Sequence, residues 1–453
     1  MTGIFKAYDV RGLVPGELDE PTAEKIGTAF ANLVNAGSIA VGRDCRPSSP
    51  ALASAFIRGY LGAGGSVTDF GPTSSPLLYY AIIKGNFDGG AMVTASHLPP
   101  DTNGIKLCRE KAIPLSGDKG LPALERLVTA MNAGTGCTTP GSYKKGDLTD
   151  SYIDMVAGCI CARHPLTVAI DAGDGMAGPE IRRLFLQVQN VTPVAVNLEP
   201  DGRFPHHGAN PFLLSATNEL EDLVRHSGAD FGVAFDGDAD RCIFVDETGA
   251  RISADLITAL IAEHYLREVP GATFLYDLRS SRIVAETVLK QGGKGIRCRV
   301  GHAFIKEQMR QENAVFAGEL SGHYYFRDTG FCDNGIFAMV QMINLLAEKD
   351  RPLSELVSPL KKYASTGEIN IRVNRRDSIM EALRSAFPDA QTDTLDGVTM
   401  AYPSWWFNIR SSNTEPLIRL NLEADTKDCM DKRTTEVLQI IRDADPSMKI
   451  ETA

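Results

Sequence analysis

At 453 residues, 43% hydrophobic and 23% charged, the chain is long enough for several domains with large apolar cores. A formal net charge of −11 excludes a broad nucleic-acid footprint, which needs clustered basic residues, but leaves room for a locally positive pocket that takes a small anion. No apolar run of about 18 residues marks a membrane span, and the N-terminal MTGIFKAYDVRG lacks the apolar stretch of a secretory signal. Nine cysteines, scattered without CxxC pairs, fit reduced thiols and a cytoplasmic location.

The first third alternates strand and helix patterns. SIAVGRD (38–44), GSVTDFG (65–71) and DGGAMVTAS (88–96) read as buried strands running into loops, with helices such as SSPALASAFIRGYLGAGG between them. That order predicts parallel pairing. The Gly/Thr/Ser-rich stretch at 133–146 reads as a linker. The grammar then restarts with LTVAID (166–171), VTPVAVN and DFGVAF (230–235), separated by helices, the second of which has Ser215 as its expected cap. A third round begins near 252, with ATFLYD, a helix from Ser281, IRCRVG, a helix from His302, AVFAGE and a long helix over NGIFAMVQMINLLAEKD. From about 364 the pattern changes to four strands (EINIRV, VTMAYP, WWFNIRS, LIRLNLEA) and a closing helix over 426–443, with a hinge expected near 362–368.

Four polar loops follow apolar strands, the place where open α/β sheets bind ligands. Thr94-Ala95-Ser96-His97-Leu98-Pro99-Pro100 with Lys106 beyond offers a serine nucleophile beside a histidine; its competitor is a Ser/Pro turn, and the absence of GxSxG disfavours a hydrolase elbow. Asp236-Gly237-Asp238-Ala239-Asp240-Arg241 places carboxylates at every second position, so an extended loop brings them to one side as hard oxygen ligands for Mg²⁺ or Ca²⁺. An EF-hand is excluded because Arg241 stands where its turn needs glycine and both flanks read as strands. In Gly318-Glu319-Leu320-Ser321-Gly322-His323, Glu319 and Ser321 face the same way on an extended segment and suit vicinal sugar hydroxyls; a capped strand end is the alternative. Arg410-Ser411-Ser412-Asn413-Thr414-Glu415-Pro416, with Arg419, has the donors of a phosphate cradle, against a plain polar hairpin loop. Together the four supply a nucleophile, an oxygen-ligated metal, a sugar clamp and a remote anchor, the inventory of phosphoryl transfer.

These residues, with FKAYDVRG (5–12), GRDCRPSS (42–49) and PDGRFPHH (200–207), make the chain resemble the α-D-phosphohexomutases nearly end to end, on the phosphomannomutase/phosphoglucomutase side of that family. The resemblance implies an α/β architecture of four domains around a central cleft. Three similar α/β units with mixed sheets (1–147, 148–251, 252–363) precede a smaller C-terminal α+β domain (364–453), and each gives one loop to the cleft. It implies a phosphoserine at Ser96, Mg²⁺ held by Ser96, Asp236, Asp238 and Asp240, and a hexose 1,6-bisphosphate that turns end for end between two phosphoryl transfers. Ser96, His97, Lys106, Arg241 and His302 are the expected catalytic set. Arg241 is expected to orient Ser96 or its neighbours, and Lys106 and His302 are both candidates for proton transfer. Tyr8, Arg11, Arg279, Glu319, Ser321, His323, Arg410, Ser412, Asn413, Thr414 and Arg419 are the expected substrate contacts. Sugar phosphates are the expected partners of a monomer or homodimer, with no nucleic acid and no membrane.

Three positions depart from the family. Leu98 stands where asparagine is usual, and Arg279 where lysine is commoner. Leu320 replaces the commoner methionine and argues against the glutamine-bearing phosphoglucosamine branch. That branch, a binding relative without turnover and a phosphatase are the alternative readings.

Overall fold

The computed structural model describes residues 3–117, 120–131, 141–411 and 417–451. Four sheets succeed one another along the chain. The first runs in the order Val10–Leu13, Thr102–Arg109, Gly89–Val93, Ser38–Arg43, Ser66–Pro72, Tyr143–Lys145. Ser38–Arg43 pairs parallel with both neighbours, as its βαβ connections require. Thr102–Arg109 returns antiparallel beside Gly89–Val93. Gly89–Val93 is buried throughout, because helices cover both faces, and so it reads as a continuous apolar run. Of the stretch read as a linker, 133–140 lie outside the described residues, and Tyr143–Lys145 within it pairs parallel with Ser66–Pro72 as an edge strand. Its three side chains are all exposed, so no apolar alternation marked it.

The second sheet (Arg251–Ile252, Cys242–Asp246, Phe231–Phe235, Leu166–Asp171, Val191–Val196) and the third (Lys294–Cys298, Thr273–Asp277, Phe316–Gly318, Tyr324–Phe326, Cys332–Asp333) are also mixed. They share one apolar core, in which the helix Gly335–Lys349 is buried on nearly every side. The fourth sheet is antiparallel and closes a separate core around Trp405, Phe407 and Phe387. Polar contacts tie it to the third unit, with Arg282 reaching Glu423 at 3.1 Å and Asp425 at 2.9 Å. The expected hinge at 362–368 contains a β-bulge between Ser365 and Glu368 at the start of the strand Ala364–Arg372. Ser215 caps no helix; it lies inside the 3₁₀ turn Leu214–Thr217 that precedes Asn218–Ser227. Ser281 does cap its helix, accepting from Ile283 N. Among the described residues no helix is long and apolar enough to cross a membrane.

The first two units meet at the start of the helix Ser75–Lys84. Glu180, on the facing helix Ala177–Gln187, is buried there, and one of its carboxyl oxygens has no hydrogen-bond partner among the described residues. Burial pushes this carboxyl from 4.5 up to about 8, with Ser74 hydrogen bonds opposing the shift. The folded chain therefore keeps a proton that the unfolded chain releases, so stability falls as pH rises between those two values. Glu180→Gln is expected to match the parent in thermal unfolding near pH 4.5 and to exceed it above about pH 8. The gain is about 1.4 kcal/mol for each unit of the shift. Equal stability of the two proteins at every pH would show the carboxylate to be solvated.

Candidate active site

Three of the four candidate loops begin where a strand of the first three sheets ends, which brings them to one cleft of about 640 Å³. Tyr8, Arg11, His97, Arg241, Arg279, His302, Glu319, Ser321, His323, Arg410 and Arg419 all line it, as does Leu98. Ser412, Asn413 and Thr414 lie outside the described residues. Ser96, Lys106 and the three aspartates sit beneath the cleft wall as a buried cluster.

Ser96 takes a left-handed backbone (φ +53°), a conformation a non-glycine residue holds only where its surroundings impose it. Its Oγ donates to Asp236 Oδ2 at 2.6 Å and lies 3.2 Å from His97 Nδ1. Burial, then the charges of Arg241 and Arg11, holds the His97 imidazole well below its usual range, so it is neutral near pH 7. Asp236, Asp238 and Asp240 place carboxylate oxygens within 4.8 Å of one another. They do so through a tight turn with Ala239 at φ +63°, rather than along the extended loop the spacing suggested. All three are buried, which rules out a solvated acidic turn. Asp236 is pushed well up, first by burial and then by the charges of Asp240 and Asp238. One oxygen each of Asp238 and Asp240 has no hydrogen-bond partner among the described residues. Buried, mutually repelling carboxylates with free lone pairs fit a hard divalent cation such as Mg²⁺.

Lys106 is spent on this cluster. Its Nζ lies 2.7 Å from Asp238 Oδ2 and 2.5 Å from Asp240 Oδ2. Burial works against its charge, but the two carboxylates outweigh burial and raise its pKa, so Lys106 here is a fixed cation rather than a poised base. Ser75, which the sequence reading passed over, donates Oγ to Asp238 Oδ2 at 2.6 Å and its N–H to Asp238 O at 3.0 Å. The positive end of the helix Ser75–Lys84 thereby faces the carboxylates.

The sugar-clamp loop is a turn, closed by Gly322 N–H to Glu319 O at 2.9 Å with Gly322 at φ +76°. Glu319 and Ser321 reach the same cleft by that turn, not by strand alternation. Glu319 accepts from Tyr325 Oη at 2.9 Å and Gly301 N at 3.1 Å, while His323 Nδ1 lies 3.1 Å from both Glu319 Oε2 and Ser321 Oγ. Arg241 does not bond Ser96. Its Nε donates to His323 Nε2 at 3.1 Å, joining the second and third loops. Tyr8 donates Oη to Val300 O at 3.0 Å, stands edge-on to His302 at 5.6 Å, and is pushed up to about 12, chiefly by burial. Neither nitrogen of His302 has a hydrogen-bond partner among the described residues, and burial, then Lys306 and Lys106, keeps the ring neutral.

At the far wall, Arg279 donates to Asp277 Oδ2 at 2.7 Å and lies 3.4 Å from both Glu319 and Glu368. Glu368 also pairs with Arg410 and, at 3.6 Å, with Arg419. Three guanidinium groups that line the cleft thus converge on one carboxylate, Glu368. Nothing in EINIRV marked Glu368 as part of a site, because its arginine partners lie far along the chain.

Comparison with known proteins agrees with this geometry. Phosphoglucomutase/phosphomannomutase family models match end to end: alpha/beta/alpha domain I at residues 2–133, domain II at 150–249, domain III at 253–363 and the C-terminal domain at 368–440. The chain is 38% identical to a phosphomannomutase of Escherichia coli, covering 97% of this chain and 99% of the relative. It is also 38% identical, with the same coverage, to an enzyme of Xanthomonas campestris described as phosphohexose mutases. A crystal structure of a phosphoglucomutase/phosphomannomutase family protein from Burkholderia thailandensis superposes with a TM-score of 0.90 at 33% identity over 99% of both chains. With four linked domain matches, full-length relatives and a cleft built from all four sheets, the chain belongs to the phosphoglucomutase/phosphomannomutase family and is a phosphohexomutase, an isomerase of carbohydrate metabolism that moves phosphate within its substrate.

Proposed function

We propose that the chain interconverts the 1- and 6-phosphates of mannose, glucose or both, through a phosphoserine at Ser96 and a bound hexose 1,6-bisphosphate. The observation that carries this reading is the Ser96 hydroxyl 2.6 Å from Asp236, within the buried three-aspartate cluster and under a cleft that Arg410 and Arg419 also line. The units 1–147, 148–251, 252–363 and 364–453 each give residues to it, the last through Arg410 and Arg419.

Asp236, Asp238 and Asp240, with an oxygen of the phosphoryl group on Ser96, would hold Mg²⁺, which neutralises phosphoryl charge when bound. The chain's own residues do the rest. In the unphosphorylated form Asp236 Oδ2 accepts a hydrogen bond from the Ser96 hydroxyl. Arg410 and Arg419, with Ser412, Asn413 and Thr414 from the sequence reading, hold the phosphate that is not reacting, which restrains the sugar and raises its effective molarity at Ser96. Glu319 and Ser321 grip O3 and O4, hydroxyls that keep their place when the ring is reversed. His302 and His323, at the cleft wall, are better placed than Lys106 to exchange a proton with the substrate hydroxyl. A single chain carries every group named, so a monomer or a homodimer satisfies the reading, and the eight described cysteines, all free thiols, fit the cytoplasm.

Phosphorus NMR of the protein with Mg²⁺, a trace of glucose 1,6-bisphosphate and one hexose 1-phosphate at a time tests the assignment. Growth of 6-phosphate signals from mannose or glucose, at rates that set the preference, is expected. Turnover of glucosamine 1-phosphate alone would move the chain to the phosphoglucosamine branch, and release of inorganic phosphate would make it a phosphatase.

Glu368 competes with substrate phosphate for Arg279, Arg410 and Arg419. Glu368→Gln removes the competing charge but keeps the shape, so KM for the monophosphates is expected to fall by roughly 3- to 10-fold, on the scale of one or two charge-assisted hydrogen bonds. A higher KM would show instead that Glu368 is needed to aim the guanidinium groups.

A further inference from the structure

Two segments have no part in the chemistry above, GRDCRPSS (42–49) and PDGRFPHH (200–207), and they meet beneath the nucleophile loop. Arg46 is fully buried, at 0% exposure. Its Nη2 donates to Ser96 O at 2.8 Å and Leu98 O at 2.6 Å, its Nη1 to Pro99 O at 2.5 Å and Thr102 O at 3.0 Å, and its Nε to Asp44 Oδ2 at 3.0 Å. All five guanidinium N–H groups are thus used, four of them on carbonyls of one loop. Asp44 Oδ2 also accepts from Thr94 Oγ1 at 2.7 Å, and Thr94 Oγ1 accepts from Ser96 N at 2.9 Å. Both backbone polar groups of Ser96 are therefore held by one network, which fixes the residue in its left-handed conformation.

The second unit clamps this network from the other side. The Phe204 ring lies 5.0 Å from the Arg46 guanidinium carbon. Its edge also packs on Gly237 of the aspartate loop, where an added Cβ would come within 3.2 Å of the ring and 2.7 Å of Ser96 O. Gly202 lies so close to the backbone of Cys45 and Arg46 that a Cβ there would stand 2.3 Å from Arg46 Cα. One aromatic ring thus touches both the arginine that shapes the Ser96 loop and the turn that carries the carboxylates.

We infer that Arg46, seated by Phe204, is a positioning residue for phosphoryl transfer that keeps Ser96 in register with the aspartate turn. The inference rests on the phosphoserine reading above. Arg46 touches neither substrate nor the reacting atoms. Its effect is to set where Ser96 Oγ stands relative to Asp236, and a displacement of about 1 Å in such a position costs on the order of 10²-fold in rate.

Arg46→Lys replaces a five-donor fork by a single ammonium with three donors, which cannot span four carbonyls and Asp44. The test follows phosphorylation of Ser96 by glucose 1,6-bisphosphate, by mass spectrometry of quenched samples, beside kcat and KM for the monophosphates. The expected result is a fall of roughly 10²-fold in both kcat and the phosphorylation rate, with KM within about 2-fold because Arg410, Arg419 and Glu319 are untouched. A raised KM at parental kcat, or phosphorylation at the parental rate, overturns the inference. If Arg46→Lys does not fold, Phe204→Leu decides. It keeps an apolar side chain but loses the ring face, and a drop in kcat of several-fold at constant KM is expected, while unchanged kcat overturns the proposal. Turnover by the parent protein with Ser96 never phosphorylated would defeat the phosphoserine reading instead, and is seen in the parent alone.

Discussion

Ser96→Ala is expected to lower mutase turnover by at least on the order of 10⁴-fold while leaving binding of hexose monophosphates within about 2-fold, as titration calorimetry and turnover assays would show. The expected loss is large because no neighbouring group can replace the hydroxyl. The residues around the hydroxyl are already engaged: Asp236 is its acceptor and Lys106 is bound to two carboxylates. Binding persists because its groups, Arg410, Arg419, Glu319 and Ser321, lie on other units. Near-normal turnover by the alanine variant would mean that phosphate passes directly between sugars, without the enzyme as carrier.

The second large effect concerns the three aspartates. Chelation of divalent cations is expected to abolish turnover, Mg²⁺ to restore it, and Asp238→Asn to raise the Mg²⁺ needed for half-maximal rate by on the order of 10²-fold or more. Losing even an outer-shell partner of a metal ligand typically costs 10–100-fold in affinity, and a ligand costs more. The basis is a charge imbalance: three buried carboxylates face Lys106 at 2.5–2.7 Å, while His323 stays 3.5 Å from Asp240 and Arg241 3.8 Å from Asp236 and 3.9 Å from Asp240. Asp238→Asn also loosens Lys106, so thermal unfolding should be followed alongside the rate. Turnover that survives chelation would show that Lys106 and Arg241 alone neutralise the phosphoryl oxygens.

How far the sequence foretold the site depended on how local each feature is. The strand runs ending at Val93 and Phe235 were plain because strands covered on both faces are continuously apolar, and the loops after them stood out by contrast. Ser96, Asp236, Asp238, Asp240, Glu319 and Ser321 stood out because they sit in such loops, whereas Arg410 lies near the end of the strand Trp405–Ser411. The path by which the carboxylates converge was not, since the left-handed Ala239 that bends the turn has no side-chain signature. Arg46 entered the sequence reading only inside GRDCRPSS, and it is the return of the chain through Thr102 that shows it to be wholly buried. Glu368 and Ser75 were missed for the same reason: each acquires its role from a partner in another unit, Arg279 for the first and Asp238 for the second. Tyr143–Lys145 was misread because an exposed edge strand carries no apolar alternation.

The most direct measurement is mass spectrometry of the Ser96 peptide after brief exposure to glucose 1,6-bisphosphate and then to excess mannose 1-phosphate or glucose 1-phosphate. The phosphoserine account predicts that the peptide gains one phosphoryl group on Ser96, then loses it to the monophosphate as a new hexose bisphosphate forms, fast enough to match turnover. A protein that turns over while Ser96 stays unmodified would contradict it.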